Sequence, residues 1–111
     1  MDLVFHLTTE QAWAEARSQG TYAPASLASE GFIHASWRDQ VLAVANCFLR
    51  GQADLVVLHI DPSRLRVPLR VEAATPGGEA YPHIYGSFDP AAVVGVSPLV
   101  LQADGKFAWG A

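Results

Sequence analysis

One run of residues most constrains the fold: Leu55-Val56-Val57-Leu58, whose consecutive apolar side chains cover both faces of a strand. We therefore predict a strand from Asp54 to Asp61 that lies centrally in a sheet, with both of its faces covered. A chain of 111 residues, 50% of them hydrophobic, is long enough to build such a core in one domain. We expect that domain to span residues 1–111.

Strand and helix patterns alternate along the rest of the chain. Alternating apolar residues predict a first strand at 3–7, and Thr8 or Thr9 then begins a helix that closes at Gly20. Pro98 predicts a sheet edge or a bulge within a late strand. The later strands are placed at 31–35, around 67–72, at 93–102 and at 106–109, with loops at 21–30 and 81–86. The expected fold is α+β: one compact domain with a mixed, curved or split β-sheet of about six strands and two main helices.

The second helix carries the clearest amphipathic pattern in the chain. Ser36 is predicted as its N-cap, and Cys47 is predicted to be a small buried hydrophobe on its apolar side. Asn46 is either exposed or a polar group that reaches a cleft. The residues predicted to share the buried face are Trp37, Val41, Val44, Ala45 and Phe48.

Composition and charge exclude several classes of function. The net charge of −4 and the pI near 5.4 argue against binding to bulk nucleic acid, which requires clustered Lys and Arg. The single cysteine excludes an internal disulfide framework, and no histidine pair has the i, i+2 or i, i+4 spacing of a metal site. Residues 1–6 do not resemble a signal peptide, and no apolar run approaches the roughly 20 residues of a membrane span. We expect a soluble cytoplasmic protein with no metal and no membrane contact, with a monomer as the default oligomeric state.

Four histidines are many for so short a chain, and three of them lie beside hydroxyl residues. The three pairs are His6 with Thr8, His34 with Ser36, and His83 with Tyr85. Imidazole suits proton transfer near neutral pH and donates hydrogen bonds to ribose hydroxyls or phosphate. We predict that these three histidines converge in one cleft for a small-molecule or nucleotide ligand, and separate structural roles are the alternative. His59, in the predicted central strand, is interpreted as structural.

Six blocks of sequence together resemble the bacterial domain-of-unknown-function family 952, from about residue 3 to residue 97. They are FHLT at 5–8, APASL at 23–27, EGFIHAS at 30–36, QV at 40–41, VANCF at 44–48 and YPHIYG at 81–86. EGFIHAS and the PHIYG part of the last block are the most specific. The resemblance implies a fold similar to that of the ADP-ribosyltransferase superfamily, which includes RNA 2′-phosphotransferases.

The resemblance also implies roles for particular residues. In that superfamily a His-x-Thr at the end of the first strand holds the NAD ribose, and residues 6–8 match it by position and order. Residues 33–36 are similar to an Ile-His-Leu-like strand of the phosphotransferases. The superfamily has a catalytic glutamate late in the chain, and no glutamate here matches that position convincingly. Glu72 and the pair His83 and Tyr85 are the candidates for its role. It also lacks the full run of arginines expected of a phosphotransferase.

The first functional hypothesis is an ADP-ribosyltransferase-like enzyme that acts on NAD, as substrate, or on a related nucleotide. Its catalytic residues would be His6, His34 and His83. His6 would donate to a ribose hydroxyl, His34 would contact phosphate or transfer a proton, and Tyr85 would stack on a ring. The residues predicted to bind substrate are Thr8, Ser26, Ser36, Asn46, Glu72 and Tyr85. The alternatives are a catalytically inactive ligand-binding module and a histidine-based hydrolase or phosphotransferase of unrelated chemistry.

Overall fold

Two antiparallel sheets form the framework of the protein, and a computed structural model describes them within residues 2–49 and 51–110. The larger sheet has the strand order β1-β3-β6-β7, and the smaller one has the order β2-β5-β4. The helices are α1 (Glu10–Gln19), α2 (Ala25–Glu30) and α3 (Val41–Phe48). The strands are β1 (Val4–Thr9), β2 (Ile33–His34), β3 (Leu55–Ile60), β4 (Leu69–Ala73), β5 (Ala80–Ile84), β6 (Val93–Leu101) and β7 (Phe107–Trp109). The α+β class and a split sheet are confirmed, with seven strands and only antiparallel pairings among the described residues.

The predicted central strand is confirmed as β3, which pairs with β1 on one side and β6 on the other. Val56, Leu58 and Ile60 enter a core between the two sheets. Leu55 and Val57 enter a second core beneath α3. The consecutive apolar residues are therefore explained by burial on both faces.

The first helix follows the sequence prediction closely. The Thr9 side chain accepts a hydrogen bond from the amide of Ala12 at 3.1 Å and so caps α1. Gly20 closes the helix in the left-handed conformation, with φ of 77°. Trp13 and Ala16 are the buried residues of α1, and both pack into the core between the sheets.

The second predicted helix differs from its prediction in three respects. Ser36 is not its N-cap, because a 3-10 turn (Arg38–Gln40) intervenes before α3 begins at Val41. Phe48 is 75% exposed rather than part of the buried stripe. Cys47 is exposed rather than buried. The helix covers the sheet over only two turns, so its last residues extend past the core that Val41 and Ala45 fill.

The small sheet contains a strand that the sequence prediction assigned to a loop. β5 is the middle strand of the sheet although it contains Pro82, which ordinarily argues against a central strand. The Pro82 carbonyl accepts from the Ala35 amide at 3.1 Å, so the Pro82 nitrogen faces the same side, beyond the end of β2 at His34. The reciprocal bond, from position 82 to the Ala35 carbonyl, is the one that proline cannot form, and it lies past the last residue of β2. α2 also replaces part of a predicted loop, between Pro24 and the left-handed Gly31.

β6 pairs with β3 alone over residues 93–98, so Pro98 lies at a local sheet edge as predicted, and no bulge lies there. β6 pairs with β3 up to Pro98 and with β7 from Leu99 onward, so the proline lies where the strand changes partners. The register shift of the large sheet lies instead between His59 and Ile60. A strand that changes partners at the proline tolerates the missing amide at little cost.

The two sheets are joined along the backbone by one pair of residues. Phe5 of β1 and Ser36 exchange two hydrogen bonds of 2.8 and 2.7 Å. Ile33 and His34, just before, pair with β5, so the chain passes here from the small sheet to the large one. On either side of this join the sheets diverge.

Within the described part of the chain, no helix reaches the length and apolarity that a membrane crossing requires.

Candidate functional site

A cleft of about 800 Å³ opens where the two sheets diverge. Its floor is the edge of β1 with its neighbour Ser36, one wall is the C-terminal half of α3, and the opposite wall is the outer face of the small sheet. All three predicted catalytic residues, His6, His34 and His83, line it, as do the predicted binding residues Ser36, Glu72 and Tyr85. The predicted convergence of the three histidines is therefore what the structure shows.

Alternation along the strands explains why the polar residues share one face of the small sheet. His34 of β2 is paired with His83 of β5, so both side chains point to the same side. Arg70 is paired with His83 on the other flank, and Glu72 is paired with Tyr81. Ile33 and Ile84 occupy the opposite face and are buried in the core. One face of this sheet is thus core, and the other is the wall of the cleft.

Glu72 holds two side chains of that wall. Its Oε1 accepts hydrogen bonds from His83 Nδ1 at 2.9 Å and from the Tyr85 hydroxyl at 2.5 Å. The Tyr85 hydrogen bond, and after it that of His83, lowers the pKa of the Glu72 carboxyl below its ordinary value. The same carboxylate raises the pKa of the Tyr85 hydroxyl. Since a carboxylate only accepts, His83 carries its proton on Nδ1 and leaves Nε2 as the free nitrogen.

His34 has a carboxylate partner of its own. Its Nε2 lies 2.9 Å from Oε2 of Glu30, the last residue of α2. Both side chains are about half exposed, at 55% and 49%. The rings of His34 and His83 face each other edge to face, with centroids 5.6 Å apart. The cleft therefore presents two imidazoles side by side, each oriented by a glutamate.

Aromatic rings surround these imidazoles. Phe32 stacks on His83 with ring centroids 4.1 Å apart and an interplanar angle of 22°. Phe32 also packs against Tyr85 at 5.4 Å and against His34 at 4.8 Å. Tyr81 and the exposed Phe48 extend the apolar lining toward the mouth of the cleft.

His6 differs from the other two histidines because both of its ring nitrogens are already bonded inside the protein. Nδ1 lies 2.5 Å from the main-chain oxygen of His34, and Nε2 lies 2.7 Å from the Tyr22 hydroxyl. Burial lowers the pKa of His6 from 6.5 to about 4, so the ring is neutral at physiological pH. Nδ1 must then donate to the carbonyl, and Tyr22 must donate to Nε2. The Thr8 hydroxyl, 3.1 Å from that of Tyr22, completes the chain as a donor.

The main-chain edge of β1 also faces the cleft. The N–H and C=O of Phe5 point away from β3, because they bond to Ser36. By the alternation of an antiparallel ladder, the N–H and C=O of Leu7 point the same way, and Leu7 lines the cleft. Among the described residues, no backbone group pairs with Leu7 on that side. A donor and an acceptor are thus presented side by side to a ligand.

Three predicted binding residues do not line this cleft. Thr8 lines a second cavity of about 380 Å³ that shares Leu7 and Leu49 with it. Ser26 lies on α2 and lines neither cavity. The Asn46 side chain accepts the amide of Phe107 at 2.7 Å, which ties α3 to β7. Ser26 lies outside the cleft because α2 carries it away from the lining, and Asn46 lies outside because its side chain is bonded to β7.

Other cleft residues were not identified from the sequence. Phe32 lies two residues before His34, so the period of two along a strand could have placed it on the same face. Glu30 lies in the segment predicted as a loop and carried no such signal. The same holds for Tyr22, which bonds His6 from outside this cleft. His59, interpreted as structural, lies in β3 and its Nε2 contacts the Ser97 hydroxyl at 2.8 Å. Within residues 2–49 and 51–110, no three His, Cys, Asp or Glu side chains are grouped as metal ligands would be.

Comparisons with known proteins support the fold. A family model described as "Protein of unknown function (DUF952)" matches residues 7–96. The crystal structure of protein CC0527 from Caulobacter crescentus is similar, with a TM-score of 0.84 and 33% identity over 96% of this chain and 93% of that chain. Its solution NMR structure has a TM-score of 0.75 and 32% identity over 96% and 91%. No curated protein matches the chain. None of these matches carries the resemblance to ADP-ribosyltransferases, which stays a prediction.

Proposed function

Since the chain belongs to the DUF952 family of proteins of unknown function, we propose its activity from the site alone: an enzyme that uses histidine acid–base chemistry on a small, ring-bearing molecule. The observation that carries the proposal is the pairing of Glu72 with His83 in the wall of the cleft, beside His34 and its partner Glu30.

His83 is the proposed general base. Its Nδ1–H donates to Glu72, which orients the ring and stabilises the positive charge that the imidazole gains when Nε2 takes a proton. Phe32 stacks on the ring and restricts its rotation. A base that is oriented by a carboxylate and packed against an aromatic ring is prepared for proton transfer before substrate binds.

His34 is the proposed general acid. In its protonated form it donates a proton to the leaving group while His83 accepts one from the attacking water or hydroxyl. With their centroids 5.6 Å apart, the two rings can contact the attacking and leaving groups of one small reacting centre. Hydrolysis and group transfer are both compatible with this arrangement, and the attacking group distinguishes them.

The proposed substrate carries a planar ring. Phe32, Tyr81 and Tyr85 supply faces and edges for stacking, and the free main-chain edge at Leu7 suits a carboxamide or a similar donor–acceptor pair. NAD is the substrate that the family resemblance implies, and its nicotinamide has both features. No Lys or Arg is among the described lining residues, so the histidines and Arg70, which flanks the wall beside Tyr85, are the groups available to its pyrophosphate.

Turnover of a small panel of compounds tests the proposal. The panel contains NAD, ADP-ribose, nucleosides, a 2′,3′-cyclic nucleotide and a 2′-phosphorylated oligonucleotide, and products are followed by NMR at high enzyme concentration. For any compound that is turned over, His83→Gln is expected to lower kcat by roughly 10²–10⁴-fold, the usual contribution of a general base. His59→Gln is the matched control and should retain activity, because His59 lies outside the cleft lining. Full activity in His83→Gln, or no turnover of any compound, would contradict the proposal.

A further inference from the structure

We propose that the cleft selects its ligand by charge and binds a small planar cation, such as a pyridinium, rather than an anionic nucleotide. This inference rests on the ring-binding part of the proposed function and names the substrate class. It follows from the charged groups that line the cleft and from the aromatic wall beside them.

Apart from the histidines, the charged side chains of the lining are carboxylates, and Arg70 flanks them beside Tyr85. The carboxylates of Glu30 and Glu72 line the cleft, and no Lys or Arg of the described chain does so. A phosphate dianion in this partly apolar space would lie beside two carboxylates, and the nearby guanidinium of Arg70 is already packed on Tyr85. A cation in the same place would instead be attracted by both carboxylates.

Glu72 has an oxygen available for such a cation. Both of its described hydrogen bonds end on Oε1, which leaves Oε2 as an acceptor. The lowered pKa of Glu72 keeps the carboxylate ionised at neutral pH. The side chain is 38% exposed, so a ligand in the cleft can reach it.

The aromatic wall is the second feature suited to a cation. Phe32, His83 and Tyr85 form a contiguous group of rings next to Glu72. One face of Tyr85 is already covered by the guanidinium of Arg70, 4.9 Å from its ring centroid, so a ligand cation would use the remaining ring surfaces of this group. Planar cations bind between aromatic faces and a carboxylate because the ring quadrupole and the negative charge act in the same direction.

Three probes that share one ring and differ in charge test this inference. They are 1-methylnicotinamide (cationic), nicotinamide (neutral) and nicotinate (anionic), titrated against the full chain while the cleft resonances are followed by NMR. We expect the cation to bind about tenfold more tightly than the neutral ring, with the anion weakest. Glu72→Gln should raise the Kd of the cation by about tenfold and change the Kd of the neutral ring by less than about twofold. Glu10→Gln, an exposed carboxylate on α1 outside the cleft, is the control and should change neither.

Several results would overturn the inference. They are nicotinate binding as tightly as the cation, equal weakening of all three probes by Glu72→Gln, and the absence of any shift at millimolar concentrations. If a phosphorylated compound is turned over with dependence on His83, the charge selection is wrong and the acid–base function stands. If the cation binds with dependence on Glu72 while no compound is turned over, the charge selection stands and the acid–base function is wrong.

Discussion

At the scale of single residues, the three histidines of the cleft divide into two kinds. His34 and His83 each bond a glutamate through one nitrogen and keep the other nitrogen for a ligand. His6 uses both nitrogens internally, and one of them holds the main-chain oxygen of His34. The prediction that the three converge rested on the hydroxyl residue beside each of them. It could not reveal that His6 is saturated, because its partner Tyr22 lies in a loop with no periodicity.

The buried His6 predicts a dependence of stability on pH. Its pKa is about 4 in the folded protein and about 6.5 when unfolded, so the unfolded chain binds more protons between these values. The contribution of the neutral His6 to the free energy of unfolding is therefore fully present above about pH 6.5. It is lost as the pH falls toward 4, by about 3 kcal/mol in total. Urea denaturation at a series of pH values measures it. His6→Gln should flatten the curve in this window.

The lowered pKa values of Glu72 and Asp61 act in a separate window. Each carboxylate stabilises the fold above its ordinary pKa, and that contribution is lost only as pH falls below it. Gln11→Ala, at a neutral exposed position of α1, is the control and should leave the slope between pH 4 and 6.5 unchanged. An unaltered slope in His6→Gln would show that another group titrates there.

At the scale of elements, the sequence predicted best where local chemistry and burial agree. α1 has a threonine cap, a glycine end and a buried stripe, and it was placed correctly within a residue or two. β5 was missed because its proline signals a break, whereas the amide that Pro82 lacks would bond only past the end of β2. The alternating aromatic residues Tyr81, His83 and Tyr85 were the available signal of a strand. α2 has six residues and no buried side chain, so it lacks any amphipathic pattern to detect.

The end of α3 allows a test of the division between core and cleft. Val41 is fully buried and Phe48 is 75% exposed, although both belong to one predicted stripe. Val41→Ala should lower the free energy of unfolding by about 2 kcal/mol, since two buried methyl groups are lost and a cavity is left. Phe48→Ala should change it by less than about 0.5 kcal/mol and weaken binding of a ring-bearing ligand. Chemical denaturation measures both, and a large loss in Phe48→Ala would place that ring in the core instead.

At the scale of the whole molecule, the site exists because two sheets share a core and then separate. β1 and β3 contribute to cores on both of their faces, and this was predictable from the apolar run in β3. The division into a four-stranded and a three-stranded sheet was predicted only as one option, since strand partners are not encoded locally. The cleft needed both that division and the change of partner at residues 33–36.

Hydrogen exchange should reveal the difference between the sheet centre and the join. The amide of Leu58 lies in the ladder of the central strand, whereas that of Ser36 belongs to an isolated pair. Although Ser36 is only 5% exposed, local separation of the sheets would release its amide without global unfolding. We expect the Ser36 amide to exchange at least about 100-fold faster than that of Leu58. Equal protection of the two amides would mean that the sheets open only when the whole domain unfolds.

The isolated pair between Phe5 and Ser36 has a thermodynamic consequence for ligand discovery. A compound that touches β1 on one side and β5 on the other adds contacts between the two sheets beyond the Phe5–Ser36 pair and the bond from His6 to the His34 carbonyl. Occupancy and folding are then linked, and a compound present at 100 times its Kd stabilises the folded state by about 2.7 kcal/mol. A library screened by melting temperature would therefore report what this cleft binds before its chemistry is assayed.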